Sequence, residues 1–404
     1  MKKILILILV ISMFFAFPSC SNRATNNSNA DKESTYLKKD NNFSYDKNDN
    51  IILCDETPYY GYCDYCERLA LSVGGQCDGL KEQYYHKQKQ IDKILSSYHL
   101  AKDNSDYLVK DCDNGIAIVK YLGKKLQVEI PDTLEGKPVT MLCGCIEKET
   151  TESGLLYYYR NPFAGKKVKS ILIPNSLKFI SKNALYTDVD AYHTLDNPTL
   201  EKVTVADKNP YYFSKKGLLY NKNMTALLHV PDNYQSKSVV IPDGVKVLYS
   251  VISKKTQKVR VSKTVEKIEL ISPFDFFEKN ESDWTVNAYC TEYNLNSIEV
   301  DGENKSFSSE NGVLYNKEKS ELIAYPYAKH DKEFAVPESV ITIGEIDASE
   351  IRHLNILVVG KETENIKMLY EPQAAKALKT IKGYKGTAAE KYAKKNGFKF
   401  VALG

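Results

Sequence analysis

The chain has 404 residues, with Lys and Arg (55) nearly balanced by Asp and Glu (52) for a formal net charge of +3. That balance runs along the chain and leaves no phosphate-tracking stripe in the linear order, so nucleic acid is not an expected partner. Tyrosine is abundant (29) against a single Trp.

Residues 1–20 read as an export signal. Lys2 and Lys3 precede an apolar run from Ile4 to Phe17, too short for a spanning helix but suited to a signal core. The segment closes Phe17-Pro18-Ser19-Cys20, which resembles a bacterial lipobox, with Phe17 departing from the usual Leu. Cys20 is therefore the expected lipidation site, and the lipid the expected membrane anchor of an exported chain at the cell surface or envelope. An ordinary secretory signal with an incidental Cys20 is the alternative. Residues 21–50 hold many Asn and charged side chains and too few apolar ones to offset the entropy of ordering, so they read as a tether.

Residues 51–105 form a separate cysteine-containing module. Cys54, Cys63, Cys66 and Cys77 crowd among turn formers such as Pro58, Gly61, Gly74 and Gly75. In an exported chain disulfides explain them, and four cysteines allow three pairings. A zinc site is the sharper alternative, because Cys63-x2-Cys66 has ligand spacing and four thiolates close a tetrahedron; free thiols are the third. Leu80, Tyr84, Ile91, Leu95 and Tyr98 then recur at helical spacing, predicting a helix over 80–100.

From residue 106 to the end the chain repeats itself. Asn209-Pro-Tyr-Tyr-Phe-Ser-Lys-Lys-Gly217-Leu-Leu-Tyr220-Asn-Lys222 returns 95 residues later as Asn304-Lys-Ser-Phe-Ser-Ser-Glu-Asn-Gly312-Val-Leu-Tyr315-Asn-Lys317. The match runs on without a gap, Pro231 to Pro326, Lys237 to Lys332, Pro242 to Pro337 and Val245 to Val340. A shorter theme recurs within it: Val128-Glu-Ile130-Pro131, Ile171-Leu-Ile173-Pro174, Val239-Val-Ile241-Pro242, Val259-Arg-Val261-Ser262 and Phe334-Ala-Val336-Pro337. Period-2 alternation makes a short strand, and a proline, with no N–H to donate, ends its ladder. Such strands bury too little alone, so neighbouring units must stack.

These Ile-Pro units resemble the BspA-type leucine-rich repeats of bacterial surface proteins. Lys120–Pro131 with Leu134–Met141 looks like that family's opening coil, and the Gly-Leu/Val-Leu-Tyr-Asn-Lys hairpins at 217–222 and 312–317 are typical of it. So is the tail from Ile381 to Val401, in which Thr387 and Glu390 have capping-box spacing and Gly397 sits at a helix end. The resemblance implies an α/β repeat: a leucine-rich-repeat solenoid of short parallel strands with irregular or 3-10 turns and hairpin insertions, capped near 381–404 by a helix and strand. It also implies an adhesion or host-interaction role with no chemistry.

The chain departs from the family where three connections are enlarged, at Glu147–Arg160, Tyr186–Asn197 and roughly Ser272–Asn294. Insertions at equivalent places emerge on one face of a solenoid, often the binding face. They carry Tyr157, Tyr158, Tyr159, Tyr192, Trp284 and Tyr289, the candidate contacts for a protein, matrix or other cell-surface macromolecule. The alternative is that they fold back over the coil beneath. An envelope scaffold that binds polysaccharide or a partner lipoprotein is a second functional reading, and an exported enzyme with its site in the cysteine module a third.

No chemistry is legible. The six histidines are scattered, and there is no Gly-x-Ser-x-Gly, Walker loop, Gly-x-Gly-x-x-Gly or His-Glu-x-x-His. Cys143 and Cys145 are too close to bridge each other; they read as buried thiols or as partners on opposite faces of a strand. Nothing local supports a catalytic pairing with His193. No enzyme, metal or cofactor is expected.

Overall fold

The computed structural model describes residues 44–45, 51–52, 92–151, 154–181, 184–185, 199–249, 253–268, 294–349, 351–370 and 377–404. The chain divides into two compact units, Met1–Asp55 and Glu56–Gly404. In the first, Ser44–Tyr45 pairs antiparallel with Ile51–Ile52. All that follows concerns the second.

Its body is two sets of parallel strands that the chain visits in turn. Ladder A has three blocks. The first joins Gln127–Glu129, Ser170–Ile173 and Lys202–Val205. The second joins Ser238–Val240, Lys258–Val261 and Ser297–Val300. The third joins Glu333–Ala335, Ile356–Val358, Thr380–Gly383 and Lys399–Ala402. The expected Ile-Pro strands all fall here. Val128, Ile171 and Val203 stand in register and turn inward, each almost wholly buried, as do Val239, Val259 and Ile298 in the second block. Full burial of such a side chain is worth about 1.5–3 kcal/mol, and it is achieved only because the next coil covers it.

Ladder B takes the following short apolar pair of each unit. Gly115–Tyr121, Lys137–Leu142 and Phe179–Ile180 make its first block. Ala226–His229, Val247–Leu248 and Lys267–Ile268 make the second, and Glu321–Ala324, Thr342–Ile343 and Asn365–Ile366 the third. Many short strands and few helices therefore compose the described residues, with the core between the two ladders.

The long duplication is the punctuation between blocks. Tyr212–Lys215 and Leu218–Asn221 form a hairpin whose turn residues Lys216 and Gly217 both have positive φ, 54° and 82°. Phe307–Glu310 and Val313–Asn316 repeat it, with Asn311 at 51° and Gly312 at 79°. Positive φ at both central residues matches the twist of the flanking strands. Each tip closes a block of ladder A, since Val203 N–H donates to Gly217 O and Ile298 N–H to Gly312 O.

The shared asparagines are buried joints. Asn209, fully buried, donates through Nδ2 to Pro174 O and Leu177 O and accepts through Oδ1 from the N–H groups of Tyr211 and Tyr212. Asn304 does the same with Ser262 O, Val265 O and the N–H groups of Ser306 and Phe307. One side chain thus stitches the hairpin to the preceding coil and shapes the turn that enters it.

At the front, the helix ends earlier than its periodicity suggests. Residues 92–96 are helical, and Tyr98–Leu100 is a strand paired antiparallel with Lys110–Leu108. Residues 80–91 lie outside the described part. At the back, helix Ala388–Asn396 packs its buried Ala389 and Ala393 onto the last strands. A Cβ at Gly383 would lie 2.6 Å from that of Ala389, so the close packing needs glycine there. Gly397 closes the helix at φ 74°, with Phe398 N–H donating to Ala393 O. The expected capping box is displaced by one residue. Glu390 accepts from the N–H of Gly386, and Thr387 Oγ1 donates to Tyr384 O without capping the helix.

Candidate binding surface

All three enlarged connections leave ladder B and return to ladder A. They follow Leu142, Ile180 and Ile268 and rejoin at Ser170, Lys202 and Ser297. The described ends of all three therefore lie between the same two ladders, as insertions at one point of a repeat must.

The first insertion is a hairpin. Cys145–Thr151 and Gly154–Arg160 pair over seven residues, with Tyr157 opposite Lys148, Tyr158 opposite Glu147 and Tyr159 opposite Ile146. β-Branched and aromatic residues suit the two strands, but a lone two-stranded ribbon is marginal in water and needs anchoring. The root supplies it. Glu147 takes an ion pair from Lys120 on the adjacent ladder B strand, and a second from Arg160 across the ribbon at 3.0 Å. Ile146 is buried, and its N–H donates to Tyr98 Oη at 3.2 Å. These side chains are 21–29% exposed, so the two ion pairs are partly shielded from solvent and position the ribbon's root. Opposite charges on neighbouring strands were the one trace of this anchor in the sequence, and that trace is weak.

Cys145 lies inside the same root, 1% exposed, with Sγ 3.9 Å from Glu147 Oε1. Burial first, and then the Glu147 carboxylate, push its thiol up to about 12. It is a buried thiol, joined by no disulfide to Cys112 or Cys143, and its environment is the opposite of one that activates a nucleophile.

The structure places the backbone of Tyr157, Tyr158 and Tyr159 on the outgoing strand of the hairpin; their side chains are not described. Tyr192, Trp284, Tyr289, His193, the four cysteines Cys54, Cys63, Cys66 and Cys77, and Cys20 all lie outside the described residues. Among the described residues, no three His, Cys, Asp or Glu side chains converge to hold a metal ion, and no helix is long and apolar enough to cross a membrane.

No family model matches the chain, and no curated protein matches it. Among solved structures, a leucine-rich repeat protein from Eubacterium ventriosum is 17% identical, covering 60% of this chain and 71% of that one with a TM-score of 0.34. A leucine rich cell surface protein from Faecalibacterium prausnitzii is 15% identical, covering 76% and 96% with a TM-score of 0.31. The structural neighbours are bacterial leucine-rich-repeat proteins. The pneumococcal vaccine antigen PcpA also matches, at 15% identity, 69% and 71% coverage and a TM-score of 0.29. The stacked-repeat architecture of this chain rests on its own evidence, the register of ladders A and B.

Proposed function

We propose that the chain is an exported, lipid-anchored surface protein whose solenoid presents the insertion-bearing edge to host, matrix or other cell-surface macromolecules. The observation that carries this reading is the common origin of the three enlarged, aromatic-rich connections between ladder B and ladder A. In this reading Cys20 carries the lipid, residues 21–50 give reach, and the cysteine module of 51–105 separates tether from solenoid. Contact comes from Tyr157–Tyr159, Tyr192, Trp284 and Tyr289, because Tyr and Trp offer large contact area at low entropic cost. The anchored root of the first hairpin supports it: a ribbon held by Lys120, Glu147, Arg160 and Tyr98 is presented in one orientation, which lowers the cost of binding.

The test is a binding screen of protein lacking residues 1–50 against matrix and cell-surface components. Replacing Tyr157–Tyr159 by Ser should weaken binding about tenfold or more, as expected of hot-spot aromatics, with the melting temperature nearly unchanged. A large drop in melting temperature would show instead that these residues are core.

A further inference from the structure

Charge is not spread evenly at the end of the chain. Residues 377–404 hold seven Lys and a single carboxylate, Glu390, in a chain of formal net charge +3. The segment before it, 361–376, is balanced, with Lys361, Lys367 and Lys376 against Glu362, Glu364 and Glu371. All of 377–404 is described, so the excess has fixed places in the fold: strand Thr380–Gly383, helix Ala388–Asn396, strand Lys399–Ala402 and the turns between them. Lys382 is engaged by Glu333 at 2.9 Å and Lys394 by Glu390 at 2.8 Å. Lys385, Lys391, Lys395 and Lys399 are exposed and form no ion pair among the described residues.

The helix gathers these charges. Ala389 and Ala393 face the core, so Lys391, Lys394 and Lys395 turn outward at helical spacing, with neighbouring Cβ atoms about 5–6 Å apart. Local chemistry accounts for part of the pattern. Cations in the last turn suit the helix dipole, which covers Lys394 and Lys395, and Lys399 on an open edge strand discourages strand pairing. Neither reason reaches Lys391 in the middle of the helix, nor Lys385 before its N-terminus, where the dipole disfavours a cation. The carboxyl of Glu390 is held below its ordinary value by the Gly386 N–H, then by Lys394, with Lys385 adding to the effect. One anion is thus shared among several cations. Like charges within a Debye length, about 8 Å at physiological salt, repel one another, and an anionic surface relieves them.

We propose that this C-terminal cap docks on anionic phospholipid headgroups. Its cations are all Lys, point charges on flexible stems that suit a diffuse headgroup layer, and 377–404 holds no Arg fork for a discrete phosphate or carboxylate. Tyr384, 38% exposed beside Lys385, is an aromatic of the kind that settles at a membrane interface. The cations come from a turn, a nine-residue helix and a strand at one end of the body. A helix of that length spans about 14 Å, a compact patch that suits a plane of headgroups better than a linear polymer needing a long track. The inference rests on the surface-anchored reading for one point, that a lipid on Cys20 keeps a membrane within reach; the cap adds a second point of contact.

The experiment is co-sedimentation of the chain from residue 21, which carries no lipid, with phosphatidylcholine vesicles containing phosphatidylglycerol. The wild type should bind these and not vesicles of phosphatidylcholine alone, and added salt should release it. K385E/K391E/K395E should weaken binding by about tenfold or more. The neutral K385Q/K391Q/K395Q should do the same without placing a new carboxylate at the helix end. K124E/K208E/K305E reverses as many charges on exposed lysines of earlier coils and should leave binding within about twofold. Because no lipid is present, a failed anchor at Cys20 cannot pass for a failed cap, and the Tyr157–Tyr159 to Ser variant should bind vesicles normally. No binding to phosphatidylglycerol by the wild type, or equal losses in the cap and control variants, overturns the proposal. Tighter binding of soluble dextran sulfate than of vesicles at equal anion concentration overturns it in favour of a polymer.

Discussion

Asn304 offers the sharpest test of how the blocks are joined. Its amide is fully buried and makes four hydrogen bonds of 2.7–2.9 Å: two donated to Ser262 O and Val265 O, two accepted from Ser306 and Phe307. Asn304→Ala removes all four: Val265 O and the N–H groups of Ser306 and Phe307 lose the partner it supplied, while Ser262 O keeps the Val265 N–H at 3.3 Å. At about 1 kcal/mol net per bond the loss is about 4 kcal/mol. Asn304→Asp keeps the acceptor but points a carboxylate oxygen at two carbonyls, so it should cost at least as much at neutral pH and recover partly in acid. Asn355→Ala is the control, because that side chain makes a single 3.3 Å bond to Ala377 O near the surface. The assay is urea unfolding paired with amide exchange, since a stacked repeat loses stability locally. Exchange should accelerate most at Ser306 and Phe307 and in the coil holding Ser262. If Asn304→Ala costs no more than Asn355→Ala, the joint is not what holds the hairpin to its coil.

Other expectations follow from single sites. His229 is fully buried, and desolvation pulls it from 6.5 to about 3. Below pH 6.5 the unfolded chain takes a proton that the folded chain refuses, so stability is lost as pH falls from 6.5 towards 3. Between about pH 7.5 and 4.5 the wild type should lose roughly 2–3 kcal/mol relative to His229→Leu in denaturant titrations, and parallel pH profiles would refute the assignment. Gly217→Ala and Gly312→Ala would set a Cβ 2.9 Å from Lys202 Cβ and from Ser297 Oγ at positive φ. Each should cost about 1–2 kcal/mol by urea unfolding, and a neutral effect at both would contradict the turn geometry. Cys145, buried and with its thiol pushed up to about 12, should resist iodoacetamide at pH 8 until the protein is unfolded; rapid labelling of the native chain would show that the hairpin root opens.

Much of the frame was legible from residue order because it depends on local chemistry. Alternating apolar residues before a Pro make a short strand wherever they occur, and each Val/Ile-x-Ile-Pro unit became a strand of ladder A with the next apolar pair in ladder B. Lys-Gly and Asn-Gly permit positive φ at two successive residues, so the duplicated hairpins were readable as turns. The front helix was overextended because Tyr98 keeps helical spacing, yet pairing with Lys110 outweighs a propensity worth only a fraction of a kcal/mol per residue. The anchor of the first insertion left only a weak trace for a related reason: Lys120, Glu147 and Tyr98 meet only when three strands do.

Sequence alone thus determined the repeat, its strands and its turns. Which buried polar groups meet was decided only by the tertiary structure: Asn304 reaches Ser262 and Val265, 42 and 39 residues away along the chain, only once the coils stack.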